Sequence, residues 1–201
     1  MLRKLLIITC LFAGVKTYAQ DNLVPIYLPD SKPIEVVDDG DKSNFTNMGS
    51  PLPKFKLVTL PQGTSNTENG TAVRKITIPS KNIINDNVKN DANLLVMVFN
   101  PTCGHCEDQT DTLEKYIYLF KKSNMVMVCA PTMGPYLEQF EKDHQTSQFP
   151  TLQIGMDASA LIRKIFLYTN LPQINIYNKD RKLIKTFTGG AVIDSLRGYI
   201  Q

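Results

Sequence analysis

Two unbroken apolar runs organise this chain, Leu94-Leu95-Val96-Met97-Val98-Phe99 and Met125 to Cys129. Short runs of this kind predict strands buried on both faces of a sheet; the first is read over Asn93 to Phe99. Between them, Leu113, Tyr116, Ile117 and Phe120 fall at i, i+3, i+4 and i+7. That spacing gives one apolar stripe and predicts an amphipathic helix from Glu107 to Lys122. Pro135 opens a further helix, with Tyr136, Leu137 and Phe140 on its inner face. A short strand near Leu152 to Ile154 leads into a helix from about Asp157 to Phe166. Gln173 to Tyr177 and Leu183 to Phe187 then alternate around the polar turn Asn178-Lys179-Asp180-Arg181, the pattern of an antiparallel hairpin. Gly189-Gly190 breaks the second strand, and Ala191 to Ile200 closes the chain as a helix. Upstream, Phe55 to Leu60 and Val73 to Ile78 read as strands around a Thr/Asn/Gly loop from Gln62 to Thr71. The order β-α-β-α-β-α-β-β-α implies an α/β fold, a mixed central sheet flanked by helices on both faces.

The first residues stand apart from this pattern. Arg3 and Lys4, the apolar Leu5 to Val15, and Thr17-Tyr18-Ala19 before Gln20 have the form of a cleaved secretory signal. The apolar part is shorter than the ~20 residues a bilayer span needs. Lipid anchoring through Cys10 is not expected, because Thr9 precedes it poorly and Leu5 to Thr9 is a short apolar lead. Gln20 to Ser50 is rich in Asp, Pro, Ser and Asn and reads as an extended arm. The chain therefore divides into a signal over 1–19, an arm over 20–50 and a folded domain over 51–201.

Removing the signal changes two counts. Three basic residues and no acid lie in 1–19, so 19 basic residues remain against 19 acidic. A formal charge near zero offers no basic patch for nucleic acid. The cysteines fall from four to three, Cys103, Cys106 and Cys129. One close pair and one odd cysteine make no disulfide framework.

Cys103-Gly104-His105-Cys106 sits where the first buried strand gives way to a helix. A sulfur at a helix N-terminus meets unpaired N–H groups and the positive end of the dipole, which stabilise a thiolate. Protonated His105 would add its own charge. Cys106, one turn further in, is placed to resolve a mixed disulfide. Zinc would need about four ligands, and only Cys129, His105 and His144 remain as soft candidates. Haem attachment would need His after the second cysteine, where Glu107 stands. No metal or cofactor beyond the cysteine pair is expected.

From about Ser50 to Gln201 the chain resembles the thioredoxin superfamily, and most closely its exported TlpA-like branch. The resemblance rests on the Cys-Gly-His-Cys helix start and on Leu171-Pro172 followed by Gln173-Ile174-Asn175-Ile176-Tyr177, a polar turn, a strand and Gly189. It implies a thioredoxin fold with an N-terminal strand extension and an α/β insertion between the two motifs. It also implies a cis Pro172 lying against the cysteines, with the Leu171 backbone exposed to pair with an extended substrate. Cys103 would be the attacking thiolate, Cys106 the resolving thiol, and His105 the residue that tunes them. The implied activity is thiol–disulfide exchange with cysteine-containing proteins, by a monomer in the periplasm or outside the cell. A membrane or periplasmic thiol donor or acceptor would serve it, and the direction of exchange stays open.

Two positions depart from the family pattern. Thr102 stands where relatives often carry Trp, and the chain has no Trp at all. Met97, six residues before Cys103, replaces the buried acid that in many relatives accepts the proton of the resolving cysteine. Glu107 and Asp108 favour the helix start and oppose thiolate formation; slow or solvent-assisted resolution by Cys106 is expected. Cys129 reads as a small core residue, and His144 as a packing or dipole histidine near a helix C-terminus. Two rival functions stand beside thiol exchange. A thiol peroxidase would need a Pro-x-x-x-Thr-x-x-Cys spacing, which Asn100-Pro101-Thr102-Cys103 lacks. A non-catalytic binding module of a cell-envelope complex is the alternative that the arm, the missing Trp and the missing acid would support.

Overall fold

The computed structural model describes residues 43–64, 76–78, 80–89, 91–120 and 123–200. The expected signal over 1–19, most of the expected arm and most of the loop after Thr64 lie outside the described residues. In chain order the elements are α1 (Ser43–Thr46), β1 (Lys56–Val58), β2 (Gln62–Thr64), β3 (Ile76–Ile78), β4 (Asn82–Ile84) and β5 (Leu94–Val98). They continue as α2 (Gly104–Lys115), β6 (Asn124–Cys129), α3 (Gly134–Asp143), β7 (Leu152–Asp157), α4 (Leu161–Ile165), β8 (Gln173–Tyr177), β9 (Leu183–Thr188) and α5 (Ile193–Leu196).

The two apolar runs form the centre of a seven-stranded mixed sheet of order β4-β1-β7-β6-β5-β8-β9. β5, β6 and β7 are parallel, while β8 joins β5, and β1 joins β7, in antiparallel register. β2 and β3 make a separate two-stranded ladder. Alternation along the strands sorts the core into two layers. On one face Leu95, Met97, Phe99, Met127, Cys129 and Ile174 meet Cys106 and Leu113 of α2, Leu137 and Phe140 of α3, and Leu196 of α5. On the other, Val96, Val98, Val126, Val128 and Tyr177 meet Leu161 and Ile165 of α4. α3 and β7 lie between β6 and α4, on the path from the cysteines to Pro172.

Several boundaries differ from the sequence reading, each for a local reason. The helix predicted over Glu107 to Lys122 begins earlier, at Gly104, and ends at Lys115. Tyr116 leaves helical geometry at φ −111° and ψ 18°, and the chain continues as a single 3₁₀ turn, Ile117–Leu119. The helix predicted from Asp157 starts only at Leu161. Asp157 instead ends β7 and caps α4, its carboxylate accepting the N–H groups of Ser159 (2.9 Å), Leu161 (3.0 Å) and Ile162 (2.8 Å). The closing helix shortens to α5 plus a 3₁₀ turn, Arg197–Tyr199, because Val192 is extended. β4 was not foreseen. Three residues in a polar stretch carry no periodic signal, and pairing with β1 supplies the order.

Part of the arm, residues 43–50, is described. Gly49 N–H donates to Leu183 O (2.7 Å) and Leu183 N–H to Ser50 O (2.8 Å), so this segment runs beside the start of β9.

Candidate functional site

β5 delivers the chain to the surface at Asn100, and the turn that follows is fixed by that side chain. Asn100 Oδ1 accepts both the backbone N–H and the hydroxyl of Thr102, at 2.9 and 3.0 Å. Cys103 is the N-cap of α2, extended at φ −104° and ψ 114°, and its carbonyl accepts the N–H groups of Cys106 (2.8 Å) and Glu107 (3.1 Å). Its thiol is half-buried, at the end of the helix where the dipole is positive.

Cys106 is fully buried, in the same core layer as Met97 and Cys129. Its thiol pKa is pushed up to about 12, chiefly by burial. The Asn100 N–H, 3.5 Å from the sulfur, opposes the shift, while the Cys103 thiol and the Glu107 charge add to it. The two sulfurs of one motif therefore occupy opposite environments: one at the mouth and one sealed in the core.

Leu171-Pro172 is a cis peptide, as the resemblance implied. Leu171 shares a cleft of about 510 Å³ with Asn100, Cys103, His105, Thr169, Asn170 and Gly189. The structure thus brings together Cys103, His105 and Leu171. His105 is exposed on the rim of the cleft, and Pro172 is buried behind it.

Three further polar side chains position this cleft, and the sequence reading passed over them. Gln173 and Asn175 look like the outward positions of an alternating strand, yet both are buried. Gln173 Nε2 donates to Ile165 O (2.8 Å) and Asn175 Oδ1 (2.9 Å), while its Oε1 accepts Leu167 N–H (2.9 Å). This network ties the end of α4 to the strand that follows Pro172. Gln109, on the apparently polar side of α2, is buried and accepts the Ala191 N–H. Gly190 lies between them at φ +99°. A Cβ there would stand 2.8 Å from Gln109 Oε1, so glycine serves both the left-handed backbone and the close approach. Polar residues inside apolar stretches were the available signal for Gln173 and Asn175; nothing local marks Gln109.

On the other side of Cys103 lies a groove of about 670 Å³ between α2 and α3, whose lining includes Thr102, Glu107, Asp108, Asp111, Tyr136 and His144. Cys129, the last residue of β6, is fully buried in the same core layer as Cys106, as expected of a core thiol, and burial raises its pKa to about 12. Among the described residues no helix is long and apolar enough to cross a membrane.

No family model matches the chain. A Medicago sativa protein named "Probable protein disulfide-isomerase A6" is 33% identical over 98 residues, which cover 44% of this chain and 26% of that protein. The chain thus spans only 26% of the length of that curated relative. The thioredoxin domain of a thiol-disulfide oxidoreductase from Bacteroides vulgatus superposes with a TM-score of 0.55 at 11% identity, covering 77% of this chain and 99% of the other. A thioredoxin-family thiol:disulfide interchange protein from Chlorobium tepidum gives 0.53 at 13% identity, over 75% and 92% of the two chains. The fold is the thioredoxin fold.

Proposed function

We propose that this thioredoxin-fold chain is an exported thiol–disulfide oxidoreductase that exchanges disulfides with cysteine-containing proteins through Cys103 and Cys106. The observation that carries the reading is the pairing of a half-buried sulfur at the α2 N-terminus with a sealed one a turn below, beside the Leu171-Pro172 loop.

In the reducing direction the Cys103 thiolate attacks one sulfur of a substrate disulfide. That bond breaks, the departing sulfur leaves as a thiolate and takes up a proton, and a mixed disulfide forms. Cys106 then loses its proton and attacks the Cys103 sulfur, releasing the second substrate thiol. The Cys103–Cys106 disulfide that results carries the two electrons' worth of oxidation taken from the substrate. The backbone at Leu171, which lines the cleft beside Cys103, would hold an extended segment during attack. Oxidation of substrates runs the same steps backwards. The signal-like residues 1–19 support export to the periplasm, where a membrane or periplasmic thiol partner would reset the pair.

Insulin reduction with dithiothreitol tests the proposal. Wild type accelerates precipitation of the insulin chains, and Cys103→Ser abolishes the acceleration. Equal rates for the two proteins would overturn it. They would favour the alternative, a non-catalytic thioredoxin-fold binding module of a cell-envelope complex, which the apolar Met97 beneath Cys106 supports.

A further inference from the structure

From the sequence His144 reads as a packing or dipole histidine, but the fold sets two carboxylates against it. Asp111 and Glu114, three residues apart, share one side of α2, and His144 follows the last turn of α3. His144 Nδ1 lies 3.0 Å from Asp111 Oδ1 and 3.9 Å from Glu114 Oε2. One oxygen or nitrogen from each of the three lies within 4.8 Å of the other two.

Burial distinguishes this trio from a surface ion pair. The His144 side chain is only 9% exposed and that of Glu114 16%, while Asp111, at 69%, stands at the groove mouth. His144 Nδ1 and Glu114 Oε1 are both buried without a hydrogen-bond partner. The 3.0 Å approach of Nδ1 to Asp111 is therefore close contact without hydrogen-bond alignment. Two ligands of one metal ion meet in that way: with bonds of ~2.0–2.1 Å to a tetrahedral ion, they stand about 3.3 Å apart, each aimed at the ion and not at the other. Phe140, with ring centroids 4.3 Å apart, holds the imidazole in place.

We propose that Asp111, Glu114 and His144 form a binding site for a divalent transition-metal ion of the zinc type. One imidazole and two carboxylates suit zinc, which takes three protein ligands and leaves a fourth position open. Here that position faces the groove, where water or a donor from a groove occupant completes it. Calcium and magnesium are disfavoured, since they call for about six or more oxygens. The ion would join α2, which carries the cysteine pair, to α3. The site stands apart from thiol exchange and does not depend on it.

Zn²⁺ binding to the full protein, measured by calorimetry with Cys103 and Cys106 oxidised to their disulfide, tests the proposal. Oxidation matters because free thiols at the motif would themselves take zinc. Wild type is expected to bind one ion and to unfold at a higher temperature with Zn²⁺ present, and Mg²⁺ is expected to do neither. Loss of an outer-shell partner alone costs ~10–100-fold in metal affinity, so Glu114→Gln and His144→Asn should each weaken binding by at least ~10-fold. Co²⁺ should give a visible ligand-field spectrum that His144→Asn abolishes. Should either buried variant fail to fold, the exposed Asp111→Asn decides the question. Absence of Zn²⁺ binding by wild type, or unchanged affinity in the variants, would overturn the site and leave a histidine–carboxylate contact.

Discussion

Gln109 Oε1 accepts the Ala191 N–H at 2.6 Å, so the helix that carries Cys106 is tied directly to the chain leaving β9. The next residue back, Gly190, donates its N–H to Pro172 O at 3.1 Å. One side chain thus links, within two steps, the cysteine helix to the proline loop.

Replacing Gln109 by Leu removes that acceptor and leaves the Ala191 N–H unpaired. A net loss of about 1 kcal/mol in urea unfolding is expected, the usual worth of such a bond. Insulin reduction should slow as well, because the two halves of the cleft lose their tie. An unchanged unfolding midpoint would show that the bond carries no weight.

Alkylation should separate the two thiols of the motif. With its pKa at about 12 and its side chain sealed, Cys106 stays a protonated, inaccessible thiol at neutral pH. Native Cys103→Ser protein should react with iodoacetamide at Cys106 orders of magnitude more slowly than Cys106→Ser protein does at Cys103. Mass spectrometry of timed samples gives both rates. Similar rates would contradict the burial described.

Met97 and Cys106 share one core layer, so the position that holds a carboxylate in many relatives is apolar here. Met97→Glu is expected to destabilise the fold by several kcal/mol, as a buried ionisable group without partners does. It should also shorten the lifetime of the Cys103 mixed disulfide once the carboxylate can accept the Cys106 proton. Stopped-flow resolution of a model mixed disulfide across pH measures this. No rate change at any pH would remove proton transfer as the slow step.

Glu141 supplies a pH test with an unusual sign. Burial, with the Glu138 charge beside it, raises its carboxyl from 4.5 to about 7. The folded state thus keeps a proton that the unfolded state releases, and stability falls as pH rises between those two values. The penalty is absent below the unfolded pKa and complete above the folded one. Glu141→Gln should match wild type near about pH 4 and exceed it in urea midpoint near about pH 8. A constant difference across that range would refute the assignment.

What could be read in the sequence was what depends on local pattern. β5 and β8 were legible because continuous or alternating apolar residues survive any tertiary context. Cys103 and Cys106 were legible because a four-residue motif at a strand-to-helix junction is a local signal, whereas the cis bond at Pro172 came from the family resemblance and not from any local pattern. The start of α4 was not, since Asp157 serves both as the last residue of β7 and as the cap of the helix. Gln109 and Gln173 were not legible either: polarity in a helix or strand ordinarily marks a solvent-facing position, and only packing reveals a buried partner. His144 gave no hint of Asp111 and Glu114, because the three meet across two helices.

The position of β1 sets an order of assembly. Its local partner, β4, offers only three paired residues, too little for a ladder to persist alone. Its other partner is β7, where Leu57 pairs with Asp157, one hundred positions along the chain. Gly155 admits the crossing, since a Cβ there would stand 3.0 Å from Val58 O. Closing so long a loop is entropically costly until the intervening strands exist. The sheet is therefore expected to grow outward from β5 and β6, and β1, the most N-terminal strand among the described residues, is among the last to find its place.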